Sequence, residues 1–202
     1  TFVFATPRYW GAKDSWSAER RAEGVFRDVR VIDGVDLAQL LEQTPSVSLW
    51  LAQKLGRVPT GIRLLGDAWR EWAFSTAIPL TEQLILTGRD DPSTEIHRWL
   101  NGDADAIGIQ GESTSEAIAF LYASLSDYPR DLFDAYMSRV VVVDAPEIAR
   151  DIANVPVPLI VVLAEMDPGI SNLLVSKGHH VFQAYGSGIG APDRITVLPR
   201  IG

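Results

Sequence analysis

Between Ala106 and Leu125 the chain reads AIGIQGESTSEAIAFLYASL. An apolar strand runs into Gly111, followed by Ser113, Thr114, Ser115 and Glu116, and the small and apolar residues after them predict a helix over 114–126. A glycine turn that aims helix N-terminal N–H groups at one point is the layout that holds a phosphate. The full pattern, G-x-x-x-x-G-K-[ST], adds a lysine for the outer phosphates and a hydroxyl for Mg²⁺. Counted from Gly111, Glu116 stands at the second glycine, Ala117 at the lysine and Ile118 at the hydroxyl. The segment therefore predicts the backbone of a nucleotide cradle without its charges. One of the three hydroxyl residues is expected to cap the helix. No G-x-S-x-G elbow surrounds them, which argues against a serine hydrolase.

Other residues were weighed for chemistry. Asp167 follows the apolar run PLIVVLAEM, where a carboxylate could hold Mg²⁺ through water, with Glu165 beside it. The competing reading, that such an acid caps the next helix, is favoured for Asp167 and also for Asp144 after VVVV. His179 and His180 are neighbours on a strand and point to opposite faces, and His97 is the only other histidine, so a histidine metal site is disfavoured. The run GSGIG (186–190) lacks G-x-G-x-x-G spacing and reads as a mobile loop. A metal-dependent nuclease centre needs acid-x-Lys on a strand; Lys13, Lys54 and Lys177 all fall in loop or helix contexts.

The elements that must position these residues alternate strand and helix. FVFAT (2–6), a helix over 13–23 and VRVID (29–33) predict a parallel strand pair, followed by a helix capped by Asp36 and another over 46–55. Residues 57–80 read as a connector whose helix 67–74 carries Trp69 and Trp72, expected to seal an interface between units rather than to stack a ligand. Beyond it come a strand-like LILTG, a helix over 93–100, the strand 106–110 and strands at 140–144, 158–164, 179–185 and 195–199. Helices are predicted at 145–153 and 168–176 between them. Near-continuous Val, Ile and Leu runs indicate strands buried on both faces. The expected fold is α/β: two small three-layer units with mostly parallel sheets, divided as 1–58, a helical connector 59–83, and 84–202.

Composition fits that class. Of 202 residues, 47% are apolar and 22% charged, ordinary values for a globular protein. No apolar run reaches the roughly 20 residues of a membrane-spanning helix. The absence of cysteine removes disulfides and thiolate metal sites and fits a cytoplasmic protein. The start at Thr1, in a core-like strand, reads as that of a piece of a larger protein. Net charge is −8, but residues 1–33 are nearly balanced, and Arg8, Arg20, Arg21 and Arg27 leave a DNA contact open there. The acidic remainder disfavours nucleic acid.

The pattern FVFATPRYW…ERRAEG…DVRVIDGVDLAQLLE (2–42) resembles the C-terminal part of a restriction-endonuclease-like, Mrr-like domain. The family's catalytic acids and lysine lie upstream of this pattern, so none maps onto this chain. From LTGR (86–89) onward the order of elements resembles the start of a STAND-type P-loop NTPase module, as fused to nuclease effectors in bacterial antiphage-defence proteins. The two resemblances together imply a regulatory or scaffolding portion of a defence or restriction protein. They imply homo-oligomers, DNA reached through the nuclease-like unit, and Mg²⁺ and ATP as ligands of the intact protein. Any cofactor contact in this chain would fall on Gly111, Ser113, Thr114, Ser115 and Asp167. The alternative is a small-molecule or nucleotide-binding α/β enzyme with its pocket at the strand C-termini near Gly111, Asp144 and Asp167.

Overall fold

In the computed structural model, residues 1–57, 59–164, 167–188 and 195–200 are described. The chain divides into two compact units, Thr1–Ser48 and Leu49–Gly202. The fold is α/β with mostly parallel sheets, as the sequence predicts.

In the first unit, β1 (Phe2–Ala5), α1 (Lys13–Ala22) and β2 (Val29–Ile32) form one crossover, and the strands pair in parallel from Phe2↔Val29 to Ala5↔Ile32. The helix that follows, α2 (Gly34–Gln43), is capped by Asp33 rather than by Asp36. Both acids suit a cap, but the residue in extended conformation takes it, and Asp36 is the third helical residue of a capping box. Gly34 is required by close approach: a Cβ there would sit 2.5 Å from the Pro7 carbonyl oxygen. The α3 helix (Pro45–Lys54) carries the chain into the second unit.

The second unit begins with the short strand β3 (Ile62–Arg63) and α4 (Leu65–Ala73). The apolar run read as a strand near Leu84 is instead α5 (Glu82–Leu86), because Thr81 caps it through the Leu84 amide and its side chains find a helix to pack on. There follow α6 (Asp90–Leu100), β4 (Ala106–Gln110), α7 (Thr114–Ser126), α8 (Arg130–Met137) and β5 (Val140–Val143). The chain continues through α9 (Pro146–Ile152), β6 (Ile160–Ala164), α10 (Pro168–Ser176), β7 (His180–Tyr185) and β8 (Thr196–Val197). The sheet order is β3-β5-β6-β7-β4-β8, and only β3 runs antiparallel to its neighbour.

The four valines of β5 show how this sheet becomes the middle layer of three. Alternate side chains point to opposite faces. Val140 and Val142 join α4, α6 and α7 in one core, while Val141 and Val143 join α9 and α10 in the other. β6 repeats the division with Ile160 and Val162 against Val161 and Leu163. The tryptophans placed in a connector belong to this architecture. Trp69 is buried and stacks on Tyr122 of α7 with ring centroids 5.0 Å apart, so α4 is one wall of the second unit's core. Among the described residues, no helix is long and apolar enough to cross a membrane.

Candidate functional site

β4 lies between β7 and β8, parallel to both. After β4 the chain crosses to the far strand β5 and returns through β6 and β7 to β4's other neighbour. The helices on that return, α9 and α10, pack on the face opposite α7. The loop from Gly111 to Ser113 follows the carboxyl end of a central parallel strand, the end of the strands outside which α/β sheets bind their ligands.

The loop's polar groups are turned inward. Gly111 N donates to the Tyr185 carbonyl (3.0 Å), extending the β4–β7 ladder by one residue. Ser113 caps α7, its Oγ accepting from Glu116 N at 3.1 Å. Thr114 and Ser115 form the first turn of that helix. The Glu116 carboxylate folds back into the turn: Oε2 accepts from Glu112 N at 2.7 Å and Oε1 from Arg89 Nη2 at 2.6 Å. A Cβ on Gly111 would lie 3.0 Å from Ser113 O and 3.1 Å from Glu116 Oε2, so a side chain there would press on the turn.

Arg89 is the residue that sequence reasoning passed over. It was noticed only as half of a Gly-Arg dipeptide; Gly88 supplies a positive φ of 72° and Arg89 then opens α6. Its side chain is 1% exposed, donates from Nε to the Pro199 carbonyl (2.8 Å) and lies over the Phe120 ring. The partners are 27 residues apart for Glu116 and 110 for Pro199, beyond any periodicity. A cavity of about 450 Å³ opens beside the loop, lined by Trp72, Glu112, Ser113, Glu116 and Arg200. Arg200 pairs with Glu112 at 2.8 Å.

The described part of the 186–190 run is tied to this loop. Ser187 Oγ donates to Glu112 O (3.1 Å), and Gln110 Nε2 donates to Gly186 O (3.1 Å). Gly186 and Ser187 are thus hydrogen-bonded to β4 and its loop, while Ile189 and Gly190 lie outside the described residues.

Asp167 lies elsewhere. It caps α10, Oδ1 accepting from Gly169 N at 2.6 Å, at the end of β6 with β7 standing between it and β4. With Asp144 and Arg150 it lines a separate opening of about 610 Å³ that none of Gly111 to Ser115 reaches. Glu165 lies outside the described residues. Asp144 is not a cap, since Ala145 holds that position before α9; its carboxylate pairs with Arg63 Nε at 3.1 Å. Among the described residues, no cluster of three or more His, Cys, Asp or Glu could hold a metal ion.

The remaining ionisable groups serve structure. His179 is fully buried and its Nδ1 accepts from Leu159 N at 3.2 Å. Burial pushes its ring below the usual imidazole range. The carbonyls of Ala153 and Ile152 offset part of that, although Nε2 makes no hydrogen bond. In the first unit, burial alone would raise the Asp33 carboxyl. The amides of Trp10 and Asp36 and the Lys13 ammonium at 3.2 Å outweigh it and hold that group at about 2. Of the arginines considered for DNA, Arg20 pairs with Glu23 and Arg21 with Asp28. No family model, curated protein or solved structure matches the chain.

Proposed function

We propose that this chain is a regulatory or scaffolding portion of a bacterial antiphage-defence or restriction protein, joining a nuclease-like unit to an NTPase-like unit that no longer grips nucleotide. The observation that carries this reading is the burial of Ala117 and Ile118, 0% and 2% exposed, at the positions of the gripping lysine and the Mg²⁺-holding hydroxyl. They belong to the apolar core under the sheet, and the mouth above them carries the carboxylates of Glu112 and Glu116. Among the described residues that line the cavity, the cation is Arg200, and it is already paired with Glu112, so a triphosphate would find no unpaired positive charge in that lining.

The loop's position at the carboxyl end of a central parallel strand supports descent from a nucleotide fold, and its chemistry supports loss of the ligand. On this reading the protein works in the cytoplasm as a homo-oligomer and reaches DNA through its nuclease-like unit. Calorimetric titration of ATP with Mg²⁺ is the test. No binding at millimolar nucleotide is expected; tight binding would overturn the reading.

A further inference from the structure

The ion pair at the loop has a feature that a purely architectural contact would not need. Arg89 is almost wholly buried, yet among the described residues its Nη1 has no hydrogen-bond partner. The same guanidinium and the Glu112 amide both donate to one carboxylate at the N-terminus of the 13-residue helix α7. A buried guanidinium and a loop amide converging on the two oxygens of one carboxylate are donors of the kind that receive an oxyanion, here beside the start of a helix whose own first amides turn to Ser113. We propose that the β4–α7 loop is a self-liganded anion site: Glu116 is its built-in ligand, Arg89 its cation, and the chain's own carboxylate takes the place of an inorganic oxyanion.

This inference rests on the loop being a nucleotide-type cradle and adds what now fills it. Because Glu116 is covalently attached to the helix that the site caps, its effective concentration at the site is set by the fold rather than by solution. Free oxyanions are excluded from the native loop for that reason, and the loop stays in one conformation whatever nucleotide is present. Removing the carboxylate leaves Arg89 uncompensated and the Glu112 amide unpaired. The vacated volume is then suited to tetrahedral phosphate or to acetate, which restores the lost carboxylate itself.

The test compares wild-type protein with Glu116→Ala in inorganic phosphate, in acetate and in chloride at matched ionic strength, following the thermal midpoint. The wild-type midpoint should change only by the general stabilisation that an excluded anion such as phosphate gives any folded chain, and the recovery in the variant is read beyond that change. The Glu116→Ala midpoint should start lower and recover by about 3–5 °C in phosphate or acetate, and the recovery should vanish in Arg89→Met/Glu116→Ala. A Glu116→Ala protein indifferent to both anions would overturn the proposal, as would wild-type protein that responds equally. Should Glu116→Ala fail to fold, Glu116→Gln keeps the side-chain shape and an acceptor for Glu112 N. A lowered midpoint in that variant supports the proposal, and a midpoint equal to wild type overturns it. Binding of ATP by wild-type protein would instead refute the parent reading of a lost nucleotide site.

Discussion

Replacing Arg89 with methionine would isolate the buried pair. The substitution removes the 2.6 Å contact to Glu116 and the 2.8 Å donation to Pro199, while methionine fills much of the volume over Phe120. Glu116, whose side chain is 7% exposed, would keep one hydrogen bond, from the Glu112 amide, and no counter-charge. Removing one partner of a buried ion pair costs roughly 3–5 kcal/mol, because the survivor is a desolvated charge. For a unit of this size each kcal/mol lowers the midpoint by about 2–4 °C. The expected drop is therefore about 10 °C in thermal unfolding, with a matching shift in urea midpoint at constant slope. The double variant Arg89→Met/Glu116→Gln removes the stranded charge and keeps an acceptor for Glu112 N, so it should recover more than half of the loss. A cycle in which the two changes add within about 0.5 kcal/mol would refute the reasoning. So would a single-variant cost below about 1 kcal/mol.

Two further outcomes follow from other parts of the second unit. Gly61 has φ of 77° and a Cβ there would lie 2.7 Å from Ala145 Cβ, so Gly61→Ala should cost about 1–3 kcal/mol in denaturant unfolding, whereas a neutral result would mean that the β3 turn is not held. His179 is held below its ordinary value of 6.5, so the unfolded chain binds the extra proton first. Its contribution is complete above pH 6.5 and is lost as pH falls through that value, by at most about 1.4 kcal/mol per pH unit. His179→Gln should flatten the fall in urea midpoint on acidification, and an unchanged slope would count against the ring's burial in neutral form.

How much of this was legible in the sequence depends on how local the cause was. The helices over 114–126 and 168–176 have the expected bounds because the residues that start them, Ser113 and Asp167, lie beside them in the chain. The strands β4 to β7 were legible for a similar reason, since a sheet covered on both faces needs apolar runs, whereas the two-residue β3 inside the expected connector was too short to show. By contrast, LIL at 84–86 is too short for periodicity to distinguish strand from helix, and the neighbouring α7 decides it. The loop's backbone was likewise written in Gly111 and Ser113. The partners that hold it were not, because Arg89 and Ser187 reach the loop only through folding of distant segments.

The shortness of two strands has a consequence for assembly. Both rims of the second unit's β layer are two-residue strands, Ile62–Arg63 and Thr196–Val197, and the first is braced by the Arg63 ion pairs to Glu71 and Asp144. Rims so short offer little ladder for an incoming chain on that sheet. The first unit differs: among the described residues β1 and β2 pair only with each other, so each leaves a four-residue strand open on one side, and edge-to-edge joining of copies is favoured there over the second unit.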